Sequence, residues 1–193
     1  MFASFPIRRC TAIAATLLVA AASAEAQSGK GLFVGIQYAG SSLGVKDAAE
    51  DLTFGSGFGV HAGVGVSERW AVLANFDRSV LTGANDTDVE LTQYDALLRL
   101  NLVGATSPLK LFATAGATAR TANSGRDFEE ISPTAGGGLQ LFLAPKLAVH
   151  GTALWTFGKL TRASGLSSNT IDEQFQSTQA RVQAGVSLYL FGK

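Results

Sequence analysis

The segment Tyr94-Asp95-Ala96-Leu97-Leu98-Arg99-Leu100-Asn101-Leu102 decides the fold class. Every second residue from Tyr94 onward is apolar, and three of the four residues between them are polar or charged. A period of two is typical of a β-strand, in which successive side chains point to opposite faces of the sheet. The segment is therefore predicted to be a strand with one apolar face and one polar face.

Seven further segments of about ten residues alternate in the same way and are separated by turn-forming residues. The composition agrees with an all-β fold, because 22 glycines and only 16% charged residues disfavour a helical domain. An even number of consecutive strands predicts a closed, eight-stranded antiparallel up-and-down barrel. The predicted strands lie near Leu32–Ala39, Gly57–Val66, Trp70–Leu81, Leu91–Val103, Leu109–Thr121, Ser132–Leu143, Leu147–Thr161 and Thr178–Phe191.

The alternation also indicates which face of each strand points outward. Eight strands enclose only enough room for side chains, so the polar set is expected inside and the apolar set outside, facing lipid. A soluble secreted barrel or sandwich would invert this pattern, and a transmembrane barrel is therefore favoured over it. The outward set includes Val34, Ile36, Tyr38, Trp70, Val72, Phe76, Tyr94, Leu98, Val182, Val186 and Leu188; the inward set includes Gln37, His61, Asn75, Thr114, Thr118, Gln140, Thr152, Gln183 and Ser187. Some of the aromatic residues are expected to be anchors at the membrane interface; the candidates are Tyr38, Trp70, Phe76, Tyr94, Trp155 and Tyr189.

Short and long connections alternate along the chain. Membrane barrels have short periplasmic turns and longer external loops, so both termini are expected in the periplasm. The predicted turns are Ser67–Arg69, Gly104–Pro108 and Ala144–Lys146, and the four predicted external loops are Gly40–Phe54, Thr82–Glu90, Ala122–Ile131 and Arg162–Ser177. These loops are predicted to be acidic, since they hold Asp47, Glu50, Asp51, Asp86, Asp88, Glu90, Asp127, Glu129, Glu130, Asp172 and Glu173.

Residues 1–26 have the pattern of a secretory signal peptide. Two arginines precede the apolar run Thr11–Ala22, and Ala24-Glu25-Ala26 matches an A-x-A cleavage site. The apolar run is too short to span a bilayer comfortably. The single cysteine, Cys10, lies within this segment, so residues 27–193, the predicted barrel domain, are expected to contain neither a disulfide nor a thiolate metal site.

Three segments carry a family resemblance. Val66-Ser67-Glu68-Arg69-Trp70-Ala71-Val72 and Leu143-Ala144-Pro145-Lys146-Leu147-Ala148-Val149 resemble the tight turns of the outer-membrane protein A-like and opacity-type family of porin-like β-barrels. Gln183-Ala184-Gly185-Val186-Ser187-Leu188-Tyr189-Leu190-Phe191 resembles the C-terminal signal that the barrel-assembly machinery recognises. The resemblance implies a Gram-negative outer membrane, with membrane lipid, lipopolysaccharide and that machinery as partners. The peptidoglycan-binding domain of larger relatives is not expected.

The inward charges form the candidate site. Arg99, Arg120 and Arg181 are expected to pair with Asp77 and Asp95 on neighbouring strands, because an unpaired charge in a confined lumen is costly. One hypothesis treats this network as a structural plug that holds the barrel closed. The alternative is a narrow or gated ion path, which would make the protein a low-conductance porin-like channel.

Other chemistry is weakly indicated, and no catalytic residue, metal site or cofactor is predicted. Some outer-membrane barrels that resemble this one act on lipid with a histidine, a serine and an acidic residue, but neither His61 nor His150 has a companion nucleophile by spacing. Asp86–Glu90 lacks the glycine and ligand count of a calcium loop, and the glycine clusters Gly55–Gly59 and Gly136–Gly138 lack a phosphate-loop lysine.

Three functions follow from these patterns. An envelope-integrity or surface-interaction role through the loops is favoured, a low-conductance channel is the alternative, and a lipid-modifying enzyme is the least supported. The formal net charge of zero gives no reason to expect a nucleic-acid partner.

Overall fold

The structure is a closed barrel of eight antiparallel strands in sequential order, which confirms the predicted fold class. The computed structural model describes residues 30–45, 52–82, 88–103, 107–123, 127–162 and 174–191. Each strand pairs with the next along the chain, and the last strand pairs with the first. The strands are β1 (Gly31–Val45), β2 (Leu52–Gly65), β3 (Trp70–Thr82), β4 (Asp88–Asn101), β5 (Leu109–Asn123), β6 (Asp127–Ala144), β7 (Leu147–Arg162) and β8 (Gln174–Phe191).

The two faces of the barrel wall follow the predicted alternation. Ile36 and Leu102 point outward and are 68% and 62% exposed, whereas the polar side chains of Gln37 and Asn101 beside them are buried in the lumen. No described segment is a helix that is long and apolar enough to cross a membrane. The outer wall is thus apolar where the lumen is polar, as a lipid-facing barrel requires.

Aromatic side chains on the outer wall mark the external edge of the apolar band. The Tyr38 and Phe58 rings lie edge to face with centroids 5.4 Å apart, and the Phe76 and Tyr94 centroids are 5.1 Å apart. Tyr189 does not belong to this set: it is 4% exposed and packs inside the barrel. Its odd number places it on the inward face of β8 with Gln183 and Ser187, so the prediction that it could be an anchor is wrong.

Beyond this aromatic edge, the inward face of the barrel changes from polar to apolar. The outward residues Arg78 and Glu90 form an exposed ion pair. The inward residues there are apolar and form a cluster of five buried side chains, which we call the external plug: Leu43, Leu81, Val89, Leu91 and Ala122. The outward face there is mixed, because Phe54 and Val80 are exposed on it as well as the Arg78–Glu90 ion pair.

The strands extend further at the external end than predicted. β1 runs to Val45 and β6 begins at Asp127, within segments expected to be loops. Hydrogen bonding between the strands continues into segments where apolar residues no longer alternate regularly. The prediction from alternation therefore ended these strands too early. Asp88, Glu90, Asp127, Glu129 and Glu130 therefore belong to strands; the acidic residues Asp47, Glu50, Asp51, Asp86, Asp172 and Glu173 lie outside the described residues.

The turns predicted to face the periplasm are tight. Between β2 and β3, the Val66 amide donates to the Trp70 carbonyl oxygen at 2.9 Å, and the Trp70 amide donates to the Ser67 hydroxyl oxygen at 3.0 Å. Pro145 and Lys146 alone connect β6 and β7. These turns join the C-terminal end of one strand directly to the N-terminal end of the next.

Candidate functional site

Arg181 is the centre of a charged network that crosses the lumen. It lies on β8, and its guanidinium donates to Asp77 Oδ2 on β3 at 3.0 Å and to Asp95 Oδ2 on β4 at 2.6 Å. The expected partners are thus brought together. They do not lie on neighbouring strands, however, because Arg181 reaches across the barrel interior. Burial of all three side chains makes these contacts much stronger than exposed ion pairs.

Amide and hydroxyl groups complete the bonding of both carboxylates. Asp77 accepts hydrogen bonds from Gln37 at 2.8 Å and from Gln183 at 2.7 Å. Asp95 accepts from Asn75 Nδ2 at 3.0 Å and from the Thr118 hydroxyl at 2.7 Å. Each carboxylate therefore has several donors, which is the condition under which a buried charge is tolerated.

Arg120 forms a second ion pair nearer the external end. It pairs with Glu130 on the adjacent strand β6 at 2.6 Å, not with Asp77 or Asp95 as predicted. Glu130 was predicted to be a loop acid, but it faces the lumen with Ser132 and Thr134 at the next inward positions. Glu130, Ser132 and Thr134 are spaced two residues apart, and this spacing could have identified Glu130 as a lumen residue from the sequence.

Two glutamines join the two ion-pair groups into one network. Gln93 accepts from Arg181 at 2.8 Å and donates to Gln179 Oε1 at 2.6 Å. The same Gln179 oxygen accepts from Arg120 Nη1 at 3.1 Å. We call the connected set the lumen network; its charged members are Asp77, Asp95, Arg120, Glu130 and Arg181.

Arg99 stands apart from the lumen network, contrary to the prediction that it pairs with a carboxylate. Its Nε donates to Asn101 Oδ1 at 2.9 Å, its Nη2 donates to Gln140 Oε1, and its Cζ lies 3.8 Å from the Phe112 ring centroid. No carboxylate of the described residues forms an ion pair with it. The reason is its position: Arg99 lies one inward step from Leu97 and so is separated from Asp95 by an apolar side chain.

Glycines make room for the large lumen side chains. Gly59 faces Asp77 in the β2–β3 ladder, and a Cβ on Gly59 would lie 2.8 Å from Asp77 Cγ. Gly35 lies between His61 and Ser187 in the sheet, and a Cβ there would overlap the His61 ring. The absence of these side chains lets Asp77 and His61 lean across a strand to their partners.

A second polar cluster, in the periplasmic half, consists of His61, Ser187 and His150. The Ser187 hydroxyl is 2.9 Å from His61 Nε2 and 3.3 Å from His150 Nδ1. The prediction that His61 has no companion nucleophile, made from spacing along the sequence, was wrong: Ser187 lies on β8, two strands away across Gly35. No carboxylate lines the cavity beside this cluster, so the acidic member of a hydrolytic triad is not supplied there.

Apolar side chains close the lumen at both ends. The external plug lies above the lumen network. At the other end, the Tyr189 ring packs against two phenylalanine rings. Its centroid lies 5.0 Å from that of Phe33 and 5.2 Å from that of Phe142. With Ala71 and Ala148 they form what we call the periplasmic plug. The lumen network thus lies between two clusters of buried apolar side chains.

The described residues contain no group of three or more histidine, cysteine or acidic side chains arranged to hold a metal ion. Of the loop considered for calcium, residues 86 and 87 lie outside the described residues, while Glu90 pairs with Arg78.

Comparisons with known proteins agree with the fold. A family model described as outer membrane protein beta-barrel domain matches residues 11–182. Neisserial surface protein A has a TM-score of 0.63 at 14% identity, covering 83% of this chain and 98% of that chain. OprG from Pseudomonas aeruginosa has a TM-score of 0.56 at 13% identity (88% and 98% covered), and outer membrane protein AlkL, solved in lipid bilayers, has 0.56 at 13% identity (100% and 98%). The sequence matches no curated protein.

Proposed function

Because the chain belongs to the outer membrane protein beta-barrel domain family, we propose that it is a closed structural barrel that supports envelope integrity and presents its external loops to surface ligands. Family membership implies the outer membrane of a Gram-negative cell. The observation that carries the proposal is the lumen network, which spans the barrel interior between two apolar plugs.

The packing of the lumen favours a structural role over conduction. The guanidinium of Arg181 occupies the middle of the lumen and contacts β3 and β4 at once. Opening a water path would require these charge-assisted bonds to break without new partners, and removing one partner of a buried ion pair costs about 3–5 kcal/mol. The channel alternative therefore requires Arg181 to move out of the lumen. A measurable conductance would indicate that it does.

The partners follow from the outer wall and from the sequence. The apolar band fits membrane lipid, and lipopolysaccharide is the lipid expected at the external edge near Arg78. The β8 sequence supports recognition by the barrel-assembly machinery during insertion. Surface ligands of basic character would suit the acidic loops, whose charges are known from the sequence.

We propose no enzymatic activity. His61 and Ser187 are buried in the lumen, at 5% and 2% exposure, where a membrane lipid cannot approach them. A lipid-modifying site would instead need its nucleophile and base at the wall or at one rim. Lipid A from a deletion strain is accordingly expected to be unchanged in mass.

Deletion of the gene tests the structural role directly. We expect the deletion strain to become more sensitive to bile salts and to large hydrophobic antibiotics, and expression of the wild-type chain to restore resistance. In parallel, liposomes containing the purified barrel are expected to swell in small sugars no faster than protein-free liposomes, with a general porin as the positive control.

The two arms distinguish the alternatives. Swelling well above the protein-free rate, or discrete conductance steps in planar bilayers, would replace the structural proposal with the channel. A deletion strain with an unchanged permeability barrier and unchanged surface binding would contradict the structural and surface roles together.

A further inference from the structure

A small cavity lies in the periplasmic half of the lumen, below the lumen network. Its volume is about 30 Å³, which is room for one or two water molecules or a single small ion. The lining is mostly polar and includes His61, Arg99 and Thr114, with Gln37, Asn75, His150, Thr152, Gln183 and Ser187 around them. Phe33, Leu73, Leu97 and Phe112 supply the apolar part of the lining.

Arg99 is the charged side chain that lines this cavity. The buried carboxylates of the described lumen are Asp77, Asp95 and Glu130, and none of these three lines the cavity. All three carboxylates are engaged by Arg181 or Arg120. Arg99 is 6% exposed and has only neutral hydrogen-bond acceptors among the described residues. An uncompensated buried guanidinium is costly, and an anion beside it would remove that cost.

Two further hydrogen-bonding groups at the cavity lack partners. His61 Nδ1 and Thr114 Oγ1 make no hydrogen bond with any described residue, and both side chains are more than nine-tenths buried. Buried polar atoms are normally satisfied, so each one indicates a missing partner. The Thr114 hydroxyl can donate to an anion directly.

The tautomer of His61 can supply another donor. When His150 Nδ1–H donates to the Ser187 oxygen and the Ser187 hydroxyl donates to His61 Nε2, the proton of the His61 ring is carried on Nδ1. In the opposite arrangement, Nδ1 is an acceptor. An anion in the cavity selects the first arrangement, because it requires a donor at that atom.

We propose that this cavity binds one small monovalent anion of the halide class. Arg99 supplies the positive charge, and the Thr114 hydroxyl and His61 Nδ1–H supply hydrogen bonds. A single small ion matches the volume of the cavity. The cavity adjoins the lumen network through Gln37, Asn75 and Gln183, but no carboxylate of the described residues lines it, and anion binding there does not require the barrel to conduct.

Chloride-35 NMR on the barrel refolded in detergent tests the site. We expect the wild-type protein to broaden the chloride line in a saturable way, and bromide to compete. Arg99→Met should weaken chloride binding by about tenfold or more, since a charge-assisted hydrogen bond is lost, and Thr114→Val by about fivefold, since a neutral one is lost. Ser79→Ala is the matched control, because the Ser79 hydroxyl is also buried and makes no hydrogen bond with any described residue, but lies outside the cavity.

The controls make each outcome decisive. Equal broadening by wild type, Thr114→Val and Ser79→Ala would show nonspecific adsorption to surface charge and overturn the proposal, as would no broadening at all. If Arg99→Met fails to refold, the comparison of Thr114→Val with Ser79→Ala still decides. A bromide anomalous-scattering peak beside Arg99 in crystals of the wild-type barrel would support the site, and a bromide-soaked crystal without one would contradict it.

Discussion

Arg181→Met is expected to destabilise the barrel by about 3–5 kcal/mol, because it leaves two buried carboxylates without their cation. Methionine retains much of the aliphatic part of the arginine side chain. The loss of stability therefore reflects the removed charge more than the removed volume. Urea unfolding of the barrel refolded into lipid vesicles provides the measurement. Trp70 and Trp155, the only two tryptophans, both face outward and report transfer from lipid to water through their fluorescence.

Two variants separate the effect of buried charge from that of substitution itself. Arg78→Met removes the same side chain from an ion pair whose members are 63% and 42% exposed, and should cost no more than about 1 kcal/mol. Adding Asp77→Asn and Asp95→Asn to Arg181→Met should recover part of the loss, since the uncompensated charges are then absent. Equal stability of the Arg181→Met and Arg78→Met barrels would contradict the central position given to the lumen network.

Leu98→Arg is expected to destabilise the barrel in vesicles by about 2–4 kcal/mol, the cost of placing an arginine on the lipid face near the bilayer midplane. Leu98 faces outward on β4, between the aromatic edge at Tyr94 and the periplasmic end at Leu102. The same unfolding measurement applies. On the surface of a soluble barrel, an outward leucine replaced by arginine would cost little.

The matched control is Thr178→Arg. Thr178 is exposed on β8 near the external end of the strand, where the cost of an outward arginine falls and stability should change by about 1 kcal/mol or less. If Leu98→Arg were as stable as Thr178→Arg in vesicles, the outward apolar surface would not be in contact with the hydrocarbon of the bilayer.

The apolar-out alternation was predictable because the bilayer imposes it on every strand. Lipid contact requires an apolar side chain at each outward position, and the side-chain period of two then assigns the inward set without knowledge of strand pairing. This argument placed Gln37, Asp77 and Arg181 in the lumen correctly. Near Arg78 and Glu90, polar side chains occur at outward positions, so apolar residues no longer mark the outward face. The external parts of the strands were therefore not predicted.

The partners within the lumen could not be predicted in the same way. Parity says which face a side chain occupies, but the partner across the barrel depends on strand stagger and on closure of β8 against β1. Arg181 therefore meets Asp77 and Asp95 across the interior, while Arg99, equally inward, meets no carboxylate of the described residues. The Ser187 contact with His61 depends in addition on the missing side chain of Gly35.

The most direct test of a closed outer-membrane barrel is gel mobility of the chain from fractionated membranes, with and without boiling. Closed barrels held by a complete ring of strand pairs resist unfolding in detergent until heated. We predict a band in the outer-membrane fraction that migrates as a compact species unboiled and shifts on boiling. A chain recovered in the soluble periplasmic fraction, with the same mobility before and after boiling, would contradict the membrane-embedded barrel.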